Sequence, residues 1–347
     1  MVVNNIIIKK KLLRWYDLNR RILPWRVRNN KKIDPYKVLI SEIMLQQTTV
    51  NTVINKYIKF LDLWPNLNQL SKTSESKLLK FWSGLGYYRR ATNLLKCAKI
   101  IKINYNSKIP NKYKELIQLP GIGEYTANAI LGIAFNKSVM PVDANIERII
   151  ARIYSLRQPL AEEKKNIINI AKKFISKNNS SNLIQAFMDY GSAICLPRNP
   201  KCKICKIQKY CLSYKKGITN LIPKKIIKTK KPLKYTRAYV ILNNRKEVLV
   251  RKRPSVGMLA SMLEIPNDKW VIKKKNLVHD KIIYKMKKEM TSKGLVEYSF
   301  SHFNLKAQVF FLEIKKDIFP NQRWIKTNKI SYSGLPTVMK KIIKVAL

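Results

Sequence analysis

Four of the five cysteines, Cys195, Cys202, Cys205 and Cys211, fall within 17 residues in the spacing C-x6-C-x2-C-x5-C. In a reducing compartment, thiols so crowded read as metal ligands rather than disulfides. Structural zinc modules favour two paired C-x2-C knuckles. Here there is one, with the outer cysteines at unequal distances. One loop with four converging sulfurs suits a single [4Fe–4S] cluster, and zinc is the competing reading. Cys97 stands apart in the helix-like apolar stretch 93–101 and reads as a core thiol. Two carboxylates stand out in a chain with only 20 acids. Glu42 is flanked by Ile40, Ile43 and Met44, so desolvation would raise its pKa and let it hold a proton near neutrality. Asp143, in Pro141-Val-Asp143-Ala-Asn145, begins a helix and reads first as its N-cap. Leu119-Pro-Gly121-Ile-Gly123-Glu-Tyr125-Thr-Ala127 sets two glycines between helix-like stretches. Backbone N–H groups there could approach a phosphate, although a plain turn between helices is the simpler reading.

These residues need elements to hold them. Residues 1–212 read as mainly helical, with apolar positions recurring every three or four residues, as in 35–50 and 146–153. The stretch 213–234 is rich in Lys, contains Pro223 and Pro232, and reads as a solvated connector. Beyond it the period changes. Residues 238–242 and 247–250 flank Asn243-Asn-Arg-Lys246 as a hairpin, and 308–313 reads as another strand. The expectation is a mainly α domain over 1–212 and an α+β domain over 235–347, which suits a length too great for one ordinary core. The formal net charge of +50 points to a polyanionic partner. Part of that charge is compositional, because Lys, Asn and Ile saturate regions with no ligand role. The longest uncharged run, 43–55, has 13 residues, short of the roughly 18 that a membrane span needs. Ile6-Ile7-Ile8 is too brief for a signal-peptide core, so the chain is expected to be soluble and cytoplasmic.

The string L-P-G-I-G-x-x-T-A resembles the helix-hairpin-helix motif of DNA repair proteins. Followed by Val142-Asp143 and the four-cysteine loop, it makes the chain similar to the endonuclease III superfamily of base-excision DNA glycosylases. Within that superfamily the chain resembles the MutY-type adenine DNA glycosylases. Residues 34–50 look like that family's catalytic helix, and Pro24-Trp25-Arg26 and Trp82-Ser-Gly-Leu-Gly-Tyr87-Tyr88 also match. The resemblance implies a glycosylase that removes adenine mispaired with 8-oxoguanine or guanine in duplex DNA, acting as a monomer at the nucleoid. The chemistry fits. Cleaving an N-glycosidic bond leaves positive character on the sugar and negative character on the departing base, which calls for one acid and one carboxylate. Glu42 would then protonate N7 of adenine, Asp143 would stabilise the cationic sugar, and Asn145 would be an auxiliary polar contact. Bifunctional members carry a Schiff-base Lys where this chain has Tyr125, which cannot form an imine. A monofunctional enzyme follows. Since the base must leave the stack, Gln46, Gln47 and Tyr87 are implied to probe or fill the duplex, with Gly121 and Gly123 at the phosphates. Trp25 and Arg26 are candidates for the adenine pocket.

Residues 235–347 resemble the family's Nudix-like C-terminal domain. Phe300-Ser301-His302-Phe303 looks like the short loop that recognises 8-oxoguanine. A Nudix hydrolase would need a Glu-rich metal helix after Gly257, yet the stretch 281–294 offers only Glu289 among lysines. A binding module is expected rather than a second enzyme. Two other functions stay open: an endonuclease III-like glycosylase with lyase activity, opposed by Tyr125 and the second domain, and a non-catalytic iron–sulfur DNA-binding regulator, opposed by Glu42 and Asp143 in their motifs.

Overall fold

The computed structural model describes the chain except for residues 1–2, 28–32, 225–229, 255, 278–282, 284–285, 287–288, 316–318 and 320–321. Most of the lysine-rich 281–288 stretch therefore lies outside the described residues. The chain divides into two compact units, Met1–Lys72 with Asn93–Ile227 and Thr73–Thr92 with Lys228–Leu347.

The first unit is helical, and polar side chains start its helices. Asn4 accepts from Ile7 N to cap α1 (Asn5–Asn19), and Asp34 accepts from Tyr36 N to cap α2 (Pro35–Leu45). Pro35 opens α2 at a position where a missing N–H costs nothing. Every residue of α2 from Val38 to Met44 is buried, which is why Glu42 sits in an apolar run. α3 (Val50–Leu63) and α4 (Leu67–Ser71) follow. After α5 (Glu75–Phe81), α6 (Arg89–Asn104) and α7 (Tyr113–Leu116), the chain turns at Gly121. Its φ of +83° is one that side chains with a Cβ rarely adopt. α8 (Glu124–Ala129) starts at Gly123 and runs straight into a π-helical turn, Ile130–Ala134. α9 (Ala144–Tyr154), α10 (Leu160–Lys172) and α11 (Ser180–Ala193) complete the core. α11 packs on α1 and α9 and is buried at every residue from Leu183 to Gly191. Two 3-10 turns, Cys202–Ile204 and Gln208–Tyr210, shape the cysteine loop ahead of α12 (Leu212–Lys215).

Residues 213–224, read from composition as connector, pack with this unit instead. Ser213 is fully buried, Ile222 is 3% exposed, and the Ile222 carbonyl accepts from Arg152 Nε at 2.8 Å. Their surrounding lysines hide these anchoring contacts from a compositional reading.

The second unit is a mixed sheet of β1 (Leu233–Asn243), β2 (Glu247–Lys252), β3 (Leu263–Glu264), β4 (Thr291–Ser299), β5 (Asn304–Ile314) and β6 (Arg323–Lys326). Its order is β3-β2-β1-β5-β4, with β6 also on β2. β1 and β5 run parallel, with Ala238 opposite Val309, and the other pairs are antiparallel. Ala238 and Val240 face a core closed by Val338, Met339, Ile342 and Ile343 of α13 (Thr337–Ala346). Tyr239 and Ile241 face a second cluster with Leu249 and Leu312. Burial on both faces explains why β1 is an unbroken apolar run rather than an alternating one. α5 and the loop 82–88 belong to this unit, far though they are from it in sequence. Among the described residues no helix is long and apolar enough to cross a membrane.

Candidate active site

A cavity of about 380 Å³ in the helical unit, within the size range of small-molecule sites, is lined by Glu42, Tyr125, Asp143 and Asn145. Glu42 is 8% exposed, and its carboxyl is pushed up to about 7. Burial is the main cause and the nearby Asp143 adds to it, while a hydrogen bond from Tyr125 and the charge of Arg26 oppose it. Burial likewise raises the Tyr125 phenol well above its ordinary range, so it serves Glu42 as a donor. Asp143 caps α9. Its Oδ1 accepts from Ile146 N and its Oδ2 from Asn145 Nδ2, both at 2.8 Å. With both oxygens accepting, the carboxylate is held in place beside the cavity.

Asn145 is placed in turn by Arg148 and Gly191. Arg148 Nη2 donates to Asn145 Oδ1 at 2.8 Å and to the Gly191 carbonyl at 2.7 Å. A Cβ on Gly191 would lie 2.5 Å from that of Asn145, too close to be tolerated. Gly191→Ala should therefore push Asn145 off Asp143 and slow base excision about tenfold, roughly the 1.4 kcal/mol of one displaced hydrogen bond. Single-turnover kinetics with a circular dichroism check of folding would measure it. Wild-type kinetics would show that Asn145 does not steady Asp143.

The same cavity gathers the other motif residues of this unit. Trp25, Arg26, Gln46 and Gln47 all line it. Trp25 is 8% exposed and meets Tyr57 edge-on at 5.3 Å, while Gln46 Nε2 donates to Thr126 Oγ1 at 3.3 Å. Gly121 and Gly123 do not line it; they are exposed in the turn before α8. Four residues lie in the second unit. Tyr87 and Ser301 hydrogen-bond through their hydroxyls. Tyr87 is 41% exposed and His302 is exposed beside Ser301. Phe300 is half-buried among Tyr298, Trp270 and Phe303 and so anchors the β4–β5 turn. Beneath Tyr87, Arg90 stacks at 5.8 Å and donates to the Leu85 and Gly86 carbonyls, bracing the loop.

The four cysteines line one small, mostly apolar cavity with Ile149, Ile153, Ile194 and Ile207. Two donors point at its sulfurs. Arg152 Nη1 reaches Cys195 Sγ and Tyr190 Oη reaches Cys205 Sγ, each at 3.3 Å. Donors onto sulfur suit thiolate charge. Among the described residues no three His, Cys, Asp or Glu side chains gather closely enough to hold a single metal ion.

Four residues of this architecture were not legible in the sequence: Arg21 and Gln185, which line the Glu42 cavity, and Arg148 and Arg152, which join α9 to the cysteine loop. Arg148 and Arg152 are 7% and 1% exposed, although their four-residue spacing in a basic chain reads as a solvated face. One signal was available. Lysines outnumber arginines more than threefold, and an arginine kept in such a background marks a place that needs the planar, multi-donor guanidinium.

A family model described as "HhH-GPD superfamily base excision DNA repair protein" matches residues 40–177, and a NUDIX domain model matches 237–345. The adenine DNA glycosylase of Buchnera aphidicola subsp. Baizongia pistaciae (strain Bp) is 34% identical over 98% of this chain and 97% of its own. The solved structure of a thermostable thymine-DNA glycosylase superposes with a TM-score of 0.55 at 30% identity, covering 61% of this chain and 97% of that one. A non-covalent endonuclease III–DNA complex shares the fold, with a TM-score of 0.50 at 22% identity over 62% of this chain and 99% of that one. The helical unit with its buried acid, the sheet unit behind it in sequence, and a relative matching end to end agree: the chain belongs to the adenine DNA glycosylase family, enzymes of base-excision repair that remove adenine from DNA.

Proposed function

We propose that the enzyme acts as a monofunctional glycosylase, hydrolysing the N-glycosidic bond of adenine paired with 8-oxoguanine or guanine, and that it works as a cytoplasmic, nucleoid-associated monomer. The observation that carries this reading is the pairing of Glu42 and Asp143 on one cavity in unlike surroundings. Glu42, kept protonated by burial, donates its proton to N7 of the flipped base. Asp143, held by Ile146 N and Asn145, faces the positive charge that grows on the sugar. Tyr125 supplies no amine, so water completes hydrolysis and no imine forms. Trp25 and Arg26 wall the base, and Gln46 and Gln47 enter the duplex where the base has left. Gly121 and Gly123 approach the backbone phosphates through their N–H groups. Single-turnover incubation with A·8-oxoguanine and A·G duplexes, with and without alkali, tests this. Release of adenine with strand breaks only after alkali is expected, and breaks without alkali would mean a lyase.

Cys195, Cys202, Cys205 and Cys211 would hold one [4Fe–4S] cluster, which would tie the loop together and position it on DNA. Four thiols around one small apolar cavity, with donors on Cys195 and Cys205 among them, could hold such a cluster, and the single C-x2-C with unequal outer spacing favours it over zinc. Anaerobically purified protein should be brown, with about four irons per chain. Zinc in iron's place would overturn the assignment.

The choice of opposite base is assigned to the second unit. Adenine is a normal base, so its pocket has no means of knowing that it is mispaired. 8-Oxoguanine differs from guanine by an N7–H donor and an O8 acceptor, and Ser301 suits either. The Tyr87–Ser301 bond supports a joint reading of the lesion by the wedge tyrosine and the Phe300–Phe303 turn. Changing Ser301 and His302 together to Ala should narrow the 8-oxoguanine-over-guanine preference by about 1–3 kcal/mol. Non-specific affinity, resting on Lys and Arg at phosphates, should survive. Point changes are the cleaner test, since a cut near residue 232 would strip residues 73–92 of their packing. An unchanged preference would place the reader elsewhere.

A further inference from the structure

Asp189 lies on α11 with no solvent exposure, outside the residues used above. Two arginines converge on it. Its Oδ1 accepts from Arg21 Nε at 2.7 Å and lies 2.6 Å from Arg21 Nη2 and 3.2 Å from Arg26 Nη2. Its Oδ2 accepts from the Arg21 backbone N–H at 3.1 Å. Arg26 Nη1 also donates to Tyr16 Oη at 3.0 Å. Both guanidiniums line the cavity that contains Glu42.

We propose that Asp189 is a positioning residue of the base pocket, which fixes Arg21 and Arg26 as a donor pair on its wall and balances their charge beside Glu42. The inference rests on the glycosylase reading above. Stability alone gives no reason for the arrangement, because a buried ion cluster is commonly replaceable by apolar side chains at little cost. A pocket for a departing base does give one. Each guanidinium carries five donors, more than Asp189 and Tyr16 accept, and the ring nitrogens of adenine are acceptors whose charge grows as the bond breaks. Fixed donors aimed at developing charge act in the transition state rather than in binding. Balance matters equally. Glu42 faces Tyr125, Asp143 and Arg26, and of these only Arg26 is a cation drawing the proton off. With one carboxylate against two guanidiniums, the clamp carries one net positive charge. Without Asp189 it carries two, and Glu42 loses its proton at lower pH.

The test uses the full-length protein and an A·8-oxoguanine duplex in single turnover across pH. Wild-type excision and its loss in Glu42→Gln establish the glycosylase reading first; if they fail, that reading falls, independently of the clamp. Given them, Asp189→Asn should bind the duplex within about twofold of wild type yet cut at least tenfold more slowly, with the alkaline limb moved down by half a pH unit or more. Asp189→Glu should restore the limb. A slower variant with the limb in place, or a wild-type rate, would overturn the proposal. Should Asp189→Asn not fold, Asp189→Asn combined with Arg26→Gln removes a charge of each sign. It should cut slowly with the limb at or above its wild-type position, because the cation facing Glu42 is gone, and a limb moved down there would equally overturn it.

Discussion

Glu42→Gln should lower adenine release by about 10²–10⁴-fold, the range that a positioned acid contributes, while duplex affinity changes little. The amide keeps the size of the carboxyl and can still meet Tyr125, so what is lost is the proton. Wild-type excision should carry the same signature in its pH dependence. The Glu42 carboxyl is raised to about 7 by burial, so the acid form is present below that value and is lost as pH rises through it. The single-turnover rate should be level on the acid side and fall about tenfold per unit above pH 7, and Glu42→Gln should flatten that limb. A variant that excises adenine at the wild-type rate would remove Glu42 from the role of proton donor. A limb near pH 4.5 would mean that water enters the cavity and that burial does not hold the proton.

Arg152→Met should cost about 3–5 kcal/mol of stability, the range seen when one partner of a buried charged network is removed. Arg152 is 1% exposed and donates to four acceptors: the carbonyls of Leu196 at 2.6 Å, Ile222 at 2.8 Å and Pro197 at 3.3 Å, and Cys195 Sγ. Met fills the volume but satisfies none of them. A fall in Tm of about 10 °C is expected, together with fewer irons per chain if the loop holds a cluster. The effect should reach the active site. Arg148, one turn earlier on α9, joins the Cys195 carbonyl at 2.7 Å to Asn145, and Asn145 bonds Asp143. A cysteine loop set loose from α9 therefore slackens the aspartate at that helix's N-terminus. Thermal unfolding followed by circular dichroism decides the first part, and unchanged melting would mean that the loop carbonyls find other donors.

What the sequence determined unaided was whatever chemistry needs only neighbours in the chain. Burial of Glu42 follows from an apolar stretch within one helix, and capping by Asp143 follows from its place before Ala144. Four cysteines in 17 residues cannot avoid one another, and the run 238–242 reads as a strand whatever it pairs with. Tertiary structure decided which of these features share a cavity and what steadies them. Arg21 and Asp189 meet across 168 residues, and Tyr87 meets Ser301 across 214. No local pattern encodes such partners, because each is chosen by which helix faces or turns pack together. The same reason explains Arg148 and Arg152. Their spacing is that of a solvated face in a chain of +50 charge, and they are buried because the folded cysteine loop presents carbonyls that only a long, multi-donor cation can satisfy.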